Sequence, residues 1–177
     1  MSYTMQKIMC ACILAAGCAT ALAGSAAAAD ATAAPEPQAS AALSPVARAL
    51  SGVSVMNGEA NMQADYYIYV QSASWCGPCK LEMPVLVKLY PEMKAANVEL
   101  ILVGLDGTEP EALKYLQSFS APFPGVHFKA ADALPGFTLS RTVPHATVVN
   151  KQGEVIAKGH GSLARKWLQI ITADQED

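Results

Sequence analysis

The sequence has few charged residues and no run of basic ones. Asp, Glu, Lys and Arg together make up 15% of its 177 residues, and the formal net charge is −3. Proteins that bind nucleic acid or anionic membrane surfaces usually display clusters of Lys and Arg. We therefore expect no nucleic-acid partner. Hydrophobic residues make up 52% of the chain, which is enough for the core of one ordinary domain.

Histidine is scarce as well, and the familiar cofactor motifs are missing. His127, His145 and His160 are the only histidines, and each is isolated in the sequence. A structural zinc site needs four ligands, usually Cys or His at close spacing. The sequence also lacks a Gly-rich motif for a flavin or nicotinamide nucleotide. We therefore expect neither a bound metal nor an organic cofactor.

The N-terminal segment has the composition of a secretory signal peptide. Lys7 is the only charged residue in 1–29, and residues 8–23 are apolar and rich in Ala. Two sites of the Ala-x-Ala type end this stretch, so we predict that 1–29 is a signal peptide cleaved after Ala23 or Ala29. Cleavage would release the chain into the periplasm or another extracytoplasmic compartment.

Two alternatives would leave the exported chain tethered to a membrane. The signal could stay uncleaved as an anchor, or Cys18 could be lipidated, because 14–18 loosely resembles a lipobox.

Residues 30–42 are mostly Ala, Pro, Ser, Thr and Gln, which is typical of a flexible linker. We assign 43–177 to a single domain.

Caps, prolines and hydrophobic periodicity predict alternating strands and helices in this domain. Pro84 and Pro91 fall inside the longest predicted helix and indicate a kink or an early end. In chain order we predict a helix over 44–50, a strand over 66–70, a helix over 76–96, a strand over 98–105, a helix from the Thr108–Glu111 capping box to Phe119, a strand over 126–128, a hairpin of 146–150 and 154–158, and a last helix capped by Ser162.

The number of cysteines points to redox chemistry. Cys10, Cys12 and Cys18 lie in the predicted signal peptide, so the mature chain would keep only Cys76 and Cys79. One pair separated by two residues is not a disulfide framework for an exported protein. A disulfide that closes so short a loop adds little stability. Reactivity is therefore the better explanation for the pair.

The pair lies where a predicted strand gives way to a predicted helix. The N–H groups and dipole of a helix N-terminus stabilise a thiolate, and this position belongs to Cys76. Cys79, one turn further on, would then attack the mixed disulfide and release the product. Three alternatives stay open: an inert disulfide, a Cu(I) site that His145 assists, and a binding module that uses the pair as a redox-sensitive switch.

The residues around the pair resemble a known family. Trp75-Cys76-Gly77-Pro78-Cys79-Lys80 is similar to the active-site motif of the thioredoxin superfamily. The signal peptide, Ser74 and the continuation Leu81-Glu82-Met83-Pro84 are similar to its exported TlpA-like branch. The resemblance covers 65–172. It implies an α/β thioredoxin fold, in which helices flank a central mixed sheet and 98–119 form an extra strand–helix insertion.

The resemblance also implies supporting roles near the cysteines. Trp75, Gly77 and Pro78 complete the motif. Pro144 occupies the place of the family's cis-proline, and the backbone of Val143 before it would pair with a substrate strand.

Two further positions depart from ordinary thioredoxins. Val70 stands where those proteins carry a buried Asp, which leaves Glu82, one helical turn after Cys79, as the candidate proton acceptor. The alternative is that Glu82 is a solvated helix residue. His145 replaces a small hydroxyl residue of the TlpA-like branch, and we expect it at the surface.

The residues and the resemblance together imply an exported thiol–disulfide oxidoreductase. Its partners would be exported proteins that carry disulfides. A Gly-Pro pair between the cysteines is similar to reducing thioredoxins, so we expect a reductant. A reductant in an oxidising compartment must be recharged, which implies a membrane electron donor. We expect a monomer.

Overall fold

The computed structural model describes residues 43–176. The predicted signal peptide, the linker and the lipidation candidate Cys18 lie outside the described residues. Within 43–176, the helices are too short or too polar to cross a membrane.

A six-stranded mixed sheet runs through the described part of the chain. Its strand order is β1-β4-β3-β2-β5-β6. Strand β2 pairs in parallel with β3 and in antiparallel with β5, and β6 pairs in antiparallel with β5. The strands are β1 (Val55–Met56), β2 (Tyr66–Ser72), β3 (Val98–Gly104), β4 (Gly125–His127), β5 (His145–Asn150) and β6 (Val155–His160).

Helices cover both faces of this sheet. Ile68 of β2 belongs to the hydrophobic cluster that contains Met83 and Leu86, whereas its neighbour Tyr67 belongs to the cluster that contains Leu50. Side chains alternate between faces along a strand, so a strand buried throughout needs a covered sheet on both sides. The helices are α1 (Pro45–Ser51), α2 (Gly77–Ala95), α3 (Glu109–Ser118), α4 (Phe128–Ala131) and α5 (Trp167–Glu176), and a 3₁₀ segment (Gly161–Lys166) precedes α5.

The predicted fold class is confirmed, since the sheet is mixed and flanked by helices. The predicted strand–helix stretch over 98–119 corresponds to β3 and α3. Thr108 and Glu111 form the expected capping box, in which each side chain accepts the other residue's backbone N–H.

Helix α2 does not end early at either proline, although an early end was one of the two outcomes predicted. It continues from Gly77 to Ala95 through Pro84 and Pro91, which both lie on the exposed side. A proline inside a helix costs about 3 kcal/mol. Burial of one large apolar side chain stabilises the fold by about 1.5–3 kcal/mol. The opposite side of α2 buries several such residues, namely Met83, Leu86, Tyr90 and Met93.

The C-terminal helix begins later than its capping signal predicted. Ser162 lies inside the 3₁₀ segment, whose N-cap is His160, and α5 starts only at Trp167. The side chain of His160 accepts the Ser162 backbone N–H. The two-residue strand β1 and the single-turn helix α4 were not predicted, because segments this short carry no periodic signal.

Candidate active site

Cys76 and Cys79 form a disulfide at the junction of β2 and α2. Cys76 is the N-cap of α2, and its Sγ accepts the backbone N–H of Cys79 at 3.1 Å. Cys76 is 6% exposed and Cys79 is fully buried. An incoming disulfide therefore reaches Cys76 first. When the disulfide is reduced, a Cys76 thiolate would receive both this hydrogen bond and the favourable end of the helix dipole.

The motif residues next to Cys76 in the sequence are exposed to solvent. Trp75 is 66% exposed, and Gly77 and Pro78 are also exposed. Pro78 lies in the first turn of α2, where its missing N–H removes no helical hydrogen bond. Trp75, Gly77 and Pro78 are thus exposed beside the buried pair.

A buried acid holds the residue that precedes the motif. Asp106, which follows β3 and is 3% exposed, accepts the Ser74 backbone N–H at 3.1 Å and also the Ser74 hydroxyl. The carbonyl oxygen of Asp106 lies 3.0 Å from Nε2 of His127 at the end of β4. Sequence reasoning missed Asp106, because its partner Ser74 is 32 residues away and no local pattern marks the pair.

The segment before β5 closes the other side of the disulfide. The carbonyl oxygen of Val143 lies 3.7 Å from Sγ of Cys76, and the Val143–Pro144 peptide bond is cis. Val143 and Leu105 pack against the small cluster formed by Ala73 and the two cysteines. The structure therefore brings Val143 and Pro144 together with the disulfide.

A buried glutamine fixes the loop that leads to Val143. Gln71 of β2 is fully buried, donates to the carbonyl oxygen of Thr138 at 2.8 Å and accepts the Ser140 backbone N–H at 2.8 Å. Sequence reasoning missed Gln71 too. A polar residue within an otherwise apolar strand was the signal that pointed to it, since buried side-chain amides need partners.

Glu82, three residues after Cys79 in α2, is buried rather than solvated. Its side chain is 8% exposed and forms an ion pair with Arg165 of the 3₁₀ segment, with 2.8 Å between Arg165 Nη2 and Glu82 Oε2. Arg165 Nε donates to the same oxygen at 2.8 Å. The solvated alternative for Glu82 is therefore wrong. Arg165 was not recognised in the sequence, because it follows Glu82 by 83 residues.

His145, the residue after Pro144, begins β5 and is partly exposed. It lines a cavity of about 190 Å³ together with Lys158, and it stands opposite His160 across the β5–β6 pair. Burial lowers the pKa of His145, and the neighbouring charges of Lys158 and His160 lower it further. The neutral imidazole is therefore the favoured form at neutral pH.

A larger groove of about 690 Å³ lies on the other side of the motif, between Trp75 and α3. Its walls include Lys80, Asp106, Lys114 and Phe119.

Among residues 43–176, no group of three or more His, Cys, Asp or Glu side chains is placed to hold a metal ion.

A family model described as thioredoxin-like matches residues 64–155, just over half of the chain. The thiol-disulfide oxidoreductase ResA of Oceanobacillus iheyensis is 33% identical over 91 residues, which cover 51% of this chain and 47% of the relative. The chain spans about half the length of the curated relatives that it matches.

Solved structures agree with the fold. The thioredoxin of Wuchereria bancrofti superimposes with a TM-score of 0.54 at 20% identity, covering 68% of this chain and 96% of that one. A thiol:disulfide interchange protein of Chlorobium tepidum superimposes with a TM-score of 0.51 at 20% identity, covering 63% and 80%. At these identities the likeness concerns the fold alone.

Proposed function

The chain belongs to the thioredoxin-like family, and on that premise we propose that it is a thiol–disulfide oxidoreductase that exchanges disulfides with exported proteins. One observation carries the proposal. Cys76, the more exposed of the two cysteines, caps a long helix, is bonded to its resolving partner Cys79, and has its Sγ 3.7 Å from the Val143 carbonyl oxygen. A nucleophile, a resolving thiol and a backbone acceptor for a bound polypeptide are thus arranged around one sulfur.

The reaction begins from the reduced pair. The Cys76 thiolate attacks one sulfur of the partner's disulfide, forms a mixed disulfide, and expels the partner's other sulfur as a thiolate. The Cys79 thiol then loses its proton, attacks Cys76 and releases the second partner thiolate. The partner gains two electrons, and the Cys76–Cys79 pair loses them and becomes a disulfide.

Glu82 is the proposed acceptor of the Cys79 proton. It lies one helical turn after Cys79 and is buried, and a general base needs such a fixed position near the proton. Val70 supplies no acid on the strand side, since it is a buried apolar residue.

We propose that the protein works as an exported reductant. The Gly77-Pro78 spacer is similar to that of reducing thioredoxins. Reduction potentials in this superfamily run from about −270 mV for thioredoxin to about −120 mV for the oxidant DsbA. A reductant outside the cytoplasm requires a membrane electron donor that returns two electrons to the pair. The signal-peptide pattern in 1–29 supports an extracytoplasmic location.

An insulin-reduction assay with a chemical thiol as the electron source tests the activity. The purified protein should accelerate insulin precipitation, and Cys76→Ser should not. A protein that is no faster than its Cys76→Ser variant would refute the proposal. Equilibration with glutathione then gives the potential of the pair, and a value near the DsbA end would reverse the direction proposed here.

A further inference from the structure

The ion pair between Glu82 and Arg165 is asymmetric. Arg165 Nε and Nη2 both lie 2.8 Å from the same oxygen, Oε2 of Glu82. No donor in residues 43–176 bonds the second oxygen, Oε1. The guanidinium therefore fixes the carboxylate through one oxygen and leaves the other free to take a proton.

Arg165 also offsets the cost of burying the carboxylate. The Glu82 side chain is 8% exposed, and the Arg165 side chain is 46% exposed. An isolated buried carboxylate is strongly disfavoured, whereas one that is paired with a cation and hydrogen-bonded is tolerated. Within 43–176, no Lys, Arg or His nitrogen other than those of Arg165 comes within 4.0 Å of a Glu82 oxygen.

The segment that carries Arg165 also contacts Pro144, the residue after Val143. The backbone N–H of Gly161, its first residue, donates to the carbonyl oxygen of Pro144 at 2.8 Å. A Cβ on Gly161 would come within 2.5 Å of the Pro144 ring, so the two residues are in close contact. The 3₁₀ segment thus contacts the Pro144 loop at one end and Glu82 near the other.

We propose that Arg165 is a positioning residue for the second step of the exchange reaction. It acts through Glu82: it holds Oε2 and leaves Oε1 to accept the proton of Cys79. This inference rests on the proposed function, since it assigns a role within the same dithiol reaction. Attack by Cys76 involves no proton transfer to Glu82, so Arg165 should matter only after the mixed disulfide has formed.

The two steps can be timed separately with Ellman's reagent, an aryl disulfide. The full chain is prepared with Cys10, Cys12 and Cys18 changed to serine, so that only the Cys76–Cys79 pair reacts. One equivalent of the reagent is mixed with the reduced protein. Attack by Cys76 releases a first coloured thiolate, and attack by Cys79 on the mixed disulfide releases a second. The two release rates report the two steps.

Arg165→Gln should slow the second release by about threefold to tenfold, within the range of coupled neighbouring residues, and leave the first release unchanged. Arg165→Lys keeps the charge and should recover part of the rate. Lys166→Gln is the matched control, because it removes the same charge from the adjacent exposed position. In a Glu82→Gln background, Arg165→Gln should have no further effect on the second release.

The outcomes separate the two levels of proposal. If the parent protein releases fewer than two thiolates, the proposed dithiol reaction fails. If it releases two and Arg165→Gln behaves like Lys166→Gln, the role of Arg165 is overturned while the reaction stands. The role of Arg165 is also overturned if Arg165→Gln slows both releases equally. It is overturned as well if the effects of Arg165→Gln and Glu82→Gln on the second release are fully additive. Arg165→Lys provides the comparison if the glutamine variant does not fold.

Discussion

The backbone N–H of Cys79 points at Sγ of Cys76, 3.1 Å away. The Cys79 N–H is one of the first-turn amides of α2 that lack an intrahelical acceptor, and it would stabilise negative charge on Sγ of Cys76 in the reduced pair. In the proposed reaction Cys79 would therefore contribute twice, first through its backbone and later through its thiol. A side-chain substitution at Cys79 removes the second contribution and leaves the first.

Cys79→Ser should consequently trap the mixed disulfide. Cys76 would still attack, because its N-cap position and the amide of residue 79 are unchanged, but no thiol would resolve the adduct. Intact-mass measurement after incubation with a disulfide peptide should show a stable adduct of the variant. Cys76→Ser is the control and should form none, and an adduct on Cys76→Ser would mean that Cys79 is the attacking residue.

Glu82→Gln should slow the second step at neutral pH and leave the first unchanged, because an amide accepts no proton from Cys79. General-base catalysis contributes about 100-fold or more in many enzymes. Glu92→Gln, at an exposed position of the same helix, is the matched control. The measurement is single-turnover kinetics, and unchanged kinetics in Glu82→Gln would remove Glu82 from the mechanism.

Gly161→Ala should destabilise the protein by about 1–3 kcal/mol, the usual cost of added volume in a packed site. Its Cβ would lie 2.5 Å from the Cβ of Pro144. Gly159→Ala, two residues earlier, is the control, since a Cβ there meets nothing within 4 Å. Urea unfolding measures both changes, and equal free energies of unfolding would show that the close contact with Pro144 is not restrictive.

Gln71→Met should weaken the loop that leads to Val143. The variant keeps a similar volume but loses the bonds to Thr138 and Ser140. We expect a loss of about 1–2 kcal/mol in the free energy of unfolding and a slower insulin reaction. Gln152→Met, at an exposed turn, is the control. A Gln71→Met variant as active and stable as the parent would show that this loop needs no such support.

His145 should make stability depend on pH in the weakly acidic range. Its pKa in the folded protein lies below the ordinary 6.5, so the unfolded chain binds the proton more tightly. Stability should therefore fall as pH drops through the ordinary pKa toward the lower folded value. The midpoint temperature of thermal unfolding, measured from about pH 8 to about pH 5, should fall less in His145→Gln than in the parent.

Lys158→Gln provides the graded comparison for His145. It removes one of the charges that lower the pKa, while burial, the largest cause, remains. The fall of its unfolding temperature with pH should lie between those of the parent and His145→Gln. If the unfolding temperatures of all three proteins depend on pH in the same way, the lowered pKa of His145 does not cause the pH dependence.

The sequence by itself determined the order of the main elements and the reactive pair. Strand and helix signals are local: the apolar run of β2, the capping box of Thr108 and Glu111, and the prolines and caps depend on neighbours a few residues away. The Cys76–Cys79 pair was likewise readable from its spacing and from its place between a strand and a helix. Of the kink or early end predicted from Pro84 and Pro91, the early end does not occur, because local propensity yields to the burial of an apolar helix face.

Only the tertiary structure decided what surrounds the pair. The fold brings three pairs of residues into hydrogen-bonding contact: Asp106 with Ser74, Gln71 with Ser140, and Arg165 with Glu82. The partners are 32, 69 and 83 residues apart in the sequence. No periodicity encodes such partners, since each contact depends on how separate elements pack against the sheet. The sequence therefore identified the two sulfurs that we propose to react, and the packing of distant elements decided which side chains surround them.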